Sequence, residues 1–203
     1  QQAARTWDQV GRKMLAVGAG LTAFVTLPML KAGKVAWDAA IAYDGALDTI
    51  QTKTGATGDE LNAFGEIARQ VYRSIPTDIQ TAADTVATLS QKTDQVGDGL
   101  RELAQVEIEL ARITGGDLAT QVSSTAEMFN KWGIETTEQV ASLDKLFAAS
   151  QETGTSVQTL ADNLTKYAQP LSELGFSFDE AVAVLARFEE AGVNVDQAMA
   201  GLK

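Results

Sequence analysis

The sequence contains no cysteine and no histidine, and only 3 of its 203 residues are proline. The missing cysteines exclude disulfides and thiolate chemistry, and the missing histidines remove the commonest general base and most zinc and haem ligands. We therefore expect no metal site, and an enzyme of this sequence would have to work through carboxylates. Scarce proline and frequent alanine and leucine favour helix along almost the whole chain.

Basic residues are scarce after the first part of the chain. Lys and Arg number 16 against 27 Asp and Glu, which gives a net charge of −11. Through Trp37, five basic residues stand against Asp8 alone, a balance of +4, so the remainder carries −15. Because an acidic surface repels the phosphate backbone, we expect no sequence-specific binding of nucleic acid.

Helix-start signals recur at nearly regular spacing from residue 57 onwards. A capping box places Ser, Thr, Asp or Asn at the cap and an acidic or amide side chain three residues later. The chain offers such pairs, and plain caps between them, at Thr57 with Glu60, Thr77 with Gln80, Asp98, Thr114 with Asp117, Thr136, Thr155 with Gln158, Ser177 with Glu180, and Asn194 with Gln197.

Apolar residues follow these caps at helical spacing, and no comparable stretch alternates with the period of a strand. One such stripe is Leu100, Leu103, Ala104, Leu110 and Ile113. Glycines that we expect to end helices in the left-handed conformation follow the stripes, at Gly97, Gly115, Gly133, Gly154, Gly175 and Gly192. The pattern predicts an all-α fold in which residues 55–203 form an acidic array of about eight short-to-medium amphipathic helices. No residue pattern recurs strictly enough to predict a solenoid.

Residues 14–30 form an uncharged run between Arg12–Lys13 and Lys31. The run predicts a long apolar helix, bent near Pro28, within a basic N-terminal segment that covers residues 1–54. Its length is at the lower limit for a membrane span, so two roles stay open: a helix buried in a homo-oligomer or against the other helices, or a membrane contact. The residues expected to make either contact are Met14, Leu15, Val17, Gly18, Gly20, Leu21, Phe24, Val25, Leu27, Pro28 and Leu30.

The two ends of the sequence do not look like natural ends. Arg12 and Lys13 precede an apolar run, but the chain begins with Gln1 and no signal peptide is convincing. It ends at Lys203 without a stopping signal. We therefore expect a piece of a longer polypeptide.

Acidic residues occur in neighbouring pairs, and paired carboxylates can act as acid and base when they converge across a cleft. The pairs are Glu107 and Glu109, Asp179 and Glu180, and Glu189 and Glu190. Consecutive or alternate helical residues do not share a face, so we predict that these carboxylates are solvated surface and that no residue is catalytic. The dinucleotide fingerprint G-x-G-x-x-A occurs at residues 18–23, but no alternation of strands and helices follows it, so no cofactor is expected.

Several short motifs occur together in a characteristic order. Residues 25–33 read V-T-L-P-M-L-K-A-G, which is similar to a V-T-L-P-x-x-x-x-G signature. Further elements follow at Thr54-Gly55 with Leu61, Pro76-Thr77, Thr114 to Leu118, Trp132-Gly133-Ile134, Ser156-Val157, Tyr167 to Pro170, Leu174 to Ser177, and Ala191-Gly192-Val193. In these motifs the chain, from about Gly11 to Lys203, resembles the core region of tail tape measure proteins of long-tailed bacteriophages. Trp132 stands where that family more often has Phe.

The resemblance implies a structural role without catalysis. Such proteins are helical rulers inside the tail tube whose length sets tail length, and they leave the tube ahead of the DNA to help form a passage through the host envelope. The implied partners are further copies of the chain, the tail tube protein, tail assembly chaperones and the host membrane during infection. The implied location is the tail lumen of the virion, and the host cell envelope after ejection.

Two other classes of protein are weighed against this reading. One is a pore-forming helical protein, whose apolar N-terminal run inserts into a membrane while the helical array shields it. The other is a carboxylate enzyme such as a peptidoglycan hydrolase, although this stretch lacks the residues of such an enzyme. The sequence is also compatible with two conformations, because the apolar stripes can pack within one chain or between parallel copies as an extended bundle.

Overall fold

The computed structural model describes residues 36–201, with side chains from residue 42 onwards. Within that range the chain is all helix and loop, without a strand, so the predicted all-α fold is confirmed. The helices are α1 Ala36–Thr54, α2 Gly58–Ser74, α3 Ile79–Thr93, α4 Gly97–Thr114, α5 Leu118–Trp132, α6 Gln139–Thr153, α7 Val157–Lys166, α8 Ala168–Glu173, α9 Phe178–Glu190 and α10 Val195–Ala200, with a 3-10 turn at Thr136–Glu138.

One helix more is present after residue 55 than the eight start signals predict. The addition is the short α8, which follows α7 after a break at Tyr167 (φ −105, ψ 11). A proline ring clashes with the carbonyl four residues earlier in a continuous helix, and for Pro170 that residue is Lys166, the last of α7. The proline therefore explains why two helices, α7 and α8, are present where one helix was predicted.

Most predicted caps lie close to the observed ones, and three of the errors share one cause. Asp98 is a separate error, because it lies inside α4 after the cap residue Val96, and Thr57 precedes α2 without a side-chain cap hydrogen bond. Ser177 forms the predicted capping box with Glu180, and Asn194 accepts from the Gln197 amide at 2.9 Å. The caps expected at Thr77, Thr114 and Thr155 are wrong. The side chains that cap α3, α5 and α7 are instead Asp78, Asp117 and Ser156. In each case a better capping residue than threonine stands one to three positions further on.

Glycine stops are confirmed at five of the six predicted positions, where the backbone has φ between +61 and +83. Gly97 is the exception, because it opens α4 and does not end α3. The residue in the left-handed conformation after α3 is Asp94, with φ +55. Aspartate tolerates this conformation better than most side chains do, so a stop without glycine was not predicted.

The described residues form two compact units, 36–126 and 127–201. The boundary expected at residue 54 stays a prediction, since residues 1–35 lie outside the described range. In the first unit α1 packs most closely on α3. Gln80 donates a hydrogen bond to Thr49, and Lys53 pairs with Asp84 at 2.6 Å. In each of these two pairs, the partners are 31 positions apart in the sequence. The constant offset means that α1 and α3 run in the same direction.

Small side chains allow this close approach. The face of α3 that is buried carries Ala82, Ala83 and Ala87, and α1 presents the buried Ala46 and Ile50. Helices α2 and α4 also pack on each other and on α3, so each of these helices contacts the next and the next but one. The first unit is therefore a serial stack in which α2 and α3 lie between α1 and α4.

The second unit repeats this arrangement with α6, α7 and α9. Lys145 pairs with Asp179 at 2.6 Å, and Glu152 pairs with Arg187 at 2.8 Å, so α6 and α9 run in the same direction. Trp132 packs edge-on against Phe178, with ring centroids 5.7 Å apart, and its indole N–H donates to the carbonyl of Leu164 at 2.9 Å. Phenylalanine at 132 could make the ring contact but not this hydrogen bond.

Two glycines of the first unit make a matched pair for a stability test. Gly45 lies inside α1, where an added methyl would come no closer than 3.9 Å to Gln80 Oε1, so Gly45→Ala should raise the free energy of unfolding by about 0.5–1 kcal/mol. Gly55 follows α1 with φ +72 and has open space around it. Gly55→Ala should therefore lower the free energy of unfolding by about 1–2 kcal/mol through backbone strain alone. Urea unfolding monitored by circular dichroism measures both, and shifts of the same sign would contradict the assigned backbone conformations.

Candidate functional site

The predicted contact run lies outside the described residues. Every one of the candidate positions from Met14 to Leu30 falls in residues 1–35, so its membrane or oligomer contact stays a prediction. Among residues 36–201, none of the helices combines the length and the apolar character needed to cross a bilayer.

The acidic pairs are not all on the surface. Asp179, Glu180 and Glu190 are exposed as predicted, and Glu189 is half-buried. The expectation of solvated surface is wrong for Glu107, which is 0% exposed, and for Glu109, which is 3% exposed. The reason is that α4 is covered on all sides, with residues 103–111 buried without a gap. A residue of that helix therefore has no solvent-facing position between Leu103 and Ala111.

Glu107 is held by two neutral side chains of α5. Gln121 Nε2 donates to Glu107 Oε2 at 2.6 Å and to the Glu107 carbonyl at 3.1 Å. Thr125 Oγ1 lies 2.5 Å from Glu107 Oε1. Gln121 is 2% exposed and Thr125 is 0% exposed, so the whole cluster is closed to solvent.

Burial raises the pKa of Glu107 from its ordinary 4.5 to about 7. The hydrogen bonds from Thr125 and Gln121 lower this pKa, but they offset only part of the cost of removing a carboxylate from water. Near neutral pH, the carboxyl is therefore divided between its acid and its ionised form.

Glu109 reaches a charged partner at the edge of the unit. Its Oε2 accepts from Arg112 Nε at 2.8 Å and from Arg112 Nη2 at 2.6 Å. The Glu109 side chain is 4% exposed and that of Arg112 is 52% exposed. The arginine of this ion pair is thus half-exposed to solvent, whereas the glutamate is buried. The two glutamates of the predicted pair point to different partners, as residues two apart on a helix must.

The first unit also has an open groove of about 540 Å³ among α1, α3 and the start of α5. Its charged lining is already engaged, since Lys53 pairs with Asp84 at 2.6 Å and Asp117 accepts from the Thr120 amide at 2.9 Å. Across residues 36–201, no acidic residues gather as a set that could hold a metal ion. The groove therefore offers no convergent set of catalytic groups.

The sequence contained a signal for the buried glutamate. The stripe that runs through Leu103 and Leu110 calls for an inward-facing residue at position 107, four after the first and three before the second. A glutamate at such a position predicts either a break in the stripe or a buried polar cluster. Its partners, Gln121 and Thr125, could not be recognised, because their approach depends on how α5 folds back on α4.

The raised pKa of Glu107 makes stability depend on pH. A folded-state pKa above the unfolded value means that the native state binds the proton more tightly, so this contribution is complete below pH 4.5 and is lost as pH rises to about 7. We expect the free energy of unfolding of the unchanged chain, relative to Glu107→Gln, to fall by about 3 kcal/mol over that window. Urea titrations at half-unit pH steps measure the difference, and a difference constant with pH would refute the assignment.

Comparison with known proteins gives the family. The model of a family described as phage-related minor tail protein matches residues 64–203, more than half of the chain. The chain is also 25% identical over 191 residues to a tape measure protein of Pneumococcus phage Dp-1, an alignment that covers 94% of this chain and 16% of that protein. None of the solved structures matches the chain.

The resemblance to tail tape measure proteins inferred from the motifs is confirmed by these two matches. The matched region includes every helix from α3 to α10, and so covers both the buried glutamate cluster and the whole second unit. The chain belongs to the phage-related minor tail protein family.

Proposed function

We propose that the chain is a segment of a tail tape measure protein that sets tail length, scaffolds assembly of the tail tube and assists delivery of the genome through the host envelope. The observation that carries the proposal is the similarity to a tape measure protein along 94% of the chain. That relative is much longer, since the aligned part is 16% of it, so the chain would be one section of a ruler.

The helical stack supports a structural role. Within each unit, helices are joined by short connections and pack on near neighbours in sequence, as in proteins built by repeated addition of helices. The buried carboxyls favour the same reading over an enzyme. Glu107 is sealed against neutral partners, and Glu109 is paired with Arg112, so neither faces a cleft where a substrate would sit.

The charge of the chain fits the lumen of a tail tube. Residues after Trp37 carry −15, and a surface of that sign does not retain DNA that must later move through the same space. The partners that follow from this location are the tail tube protein, tail assembly chaperones and further copies of the chain.

A deletion of whole helices tests the ruler. Removal of α9 and α10 from the protein in the phage should shorten the tail, because each helical residue contributes about 1.5 Å of length when the chain forms an extended bundle and not a side-by-side stack. Electron microscopy of assembled particles measures tail length. As the matched variant, duplication of the same two helices should lengthen the tail by an equal amount. An unchanged tail length in both variants would refute length determination by this segment.

The basic, apolar N-terminal run fits a later contact with an anionic membrane. Residues 14–30 have no charge and are flanked by Arg12, Lys13 and Lys31, which is the composition of a segment with interfacial anchors. In this proposal the acidic array stays in the aqueous phase while the run reaches the bilayer of the host envelope.

Cosedimentation with anionic liposomes tests the membrane contact. The chain should bind vesicles, and the double variant Val17→Asp with Phe24→Asp should lose binding at least tenfold, because charges inside the run oppose burial in hydrocarbon. Absence of binding by the unchanged chain would leave the run as an oligomer contact and would contradict the membrane role. Leakage of vesicle contents caused by the chain alone would instead favour a pore-forming protein.

A further inference from the structure

The first half of α5 is tied to α4 by side-chain hydrogen bonds. Helix α5 packs less closely on its neighbours than α1 to α4 pack on one another. Three hydrogen bonds from Gln121 and Thr125 reach α4, and all three end on Glu107. Two of these bonds end on the carboxyl and one on the backbone carbonyl, so the state of the carboxyl affects how α5 is held.

The hydrogen-bond pattern can accommodate either form of the carboxyl, and the two forms differ in the charge that is buried. Thr125 Oγ1 lies between Glu107 Oε1 and the Gln121 carbonyl, at 2.5 Å and 3.0 Å. If Glu107 is protonated, its O–H donates to Thr125, and the threonine hydroxyl donates in turn to the carbonyl of Gln121. If Glu107 is ionised, the single threonine proton must turn to the carboxylate, and a full negative charge stays buried.

Among the residues that the structure describes, no charged group acts on the pKa of Glu107. The groups that act on the pKa of Glu107 are the surrounding burial, Thr125 and Gln121, and none of these is charged. Five charged side chains on the elements around it have other partners: Arg112 with Glu109 and Arg101 with Asp98 on α4, Arg69 with Glu66 on α2, Asp84 of α3 with Lys53, and Asp117 with Thr120 on α5. An ionised Glu107 can therefore gain solvation only if a neighbouring element moves, and α5 is the element that is hydrogen-bonded to it.

We propose that Glu107 is a pH-dependent latch, which holds the first half of α5 on α4 while its carboxyl is protonated and releases that half when the carboxyl ionises. The latch does not depend on the role in the phage tail, because it follows from the packing of two helices within the first unit. It acts between mildly acidic and mildly alkaline conditions, since the pKa of Glu107 is about 7.

Hydrogen exchange of the 203-residue chain, read by mass spectrometry, tests the latch. Protection factors for amides of residues 118–126, corrected for the intrinsic pH dependence of exchange, should be about tenfold lower at pH 8 than at pH 6. Amides of α1 and α3 should keep their protection over the same range. Equal protection of residues 118–126 at the two pH values would refute the latch, and an equal loss in α1 and α3 would show unfolding of the whole unit instead.

Two variants separate the latch from a general effect of pH. Glu107→Gln keeps the shape and cannot ionise, so protection of residues 118–126 should no longer change between pH 6 and pH 8. Thr125→Val removes a donor that lowers the pKa of Glu107, so the loss of protection should move to higher pH. If Glu107→Gln does not fold, the shift in Thr125→Val still decides the question. An unmoved transition in that variant would contradict the proposal.

Discussion

The burial of α4 on every side is the constraint on which the first unit depends. Its residues 103–111 have no exposed position, so each side chain there must be apolar or must find its polar partner inside the protein. Leucine, isoleucine, valine and alanine meet the requirement at most positions. At Glu109 the arginine one turn later meets it, and at Glu107 two neutral side chains of the next helix do so. The unusual carboxyl is thus a consequence of the burial of α4, and the three hydrogen bonds that end on Glu107 contribute to the placement of α5.

Fold class and helix positions could be predicted from the sequence because both follow from local chemistry. Apolar spacing and capping residues act within one or two turns, and the structure has a helix after every predicted start. Three of the cap errors are local as well, since threonine was preferred where Asp78, Asp117 or Ser156 was close by and binds a backbone amide better. What could not be predicted are contacts between helices. The parallel pairing of α1 with α3 depends on contacts between residues 31 positions apart, and periodicity within one helix carries no information about that partner.

The candidate site shows the same division between features that follow from local chemistry and features that depend on contacts between helices. The rule that alternate helical residues do not share a face correctly separated Glu107 from Glu109. The wrong step was to conclude that both are solvated, because a helix covered on all sides has no outer face to receive them. The contacts of the N-terminal run stay a prediction, because this apolar segment with basic flanks lies outside the described residues. Family membership then supplies what neither sequence chemistry nor helix packing could, which is the setting of a phage tail.

Packing between near neighbours also has a mechanical consequence. Within each unit, the closely packed pairs join helices that are at most three apart in the chain. A chain with such low contact order needs no long loop to close before its helices can associate, and its assembly is correspondingly fast. Under a pull from one end of a unit, the outermost helix has only the interfaces with its nearest neighbours to lose, and the next helix then becomes outermost. Resistance to extension is therefore spread over a series of small steps, and the stack can come apart and re-form in order without any segment passing through another.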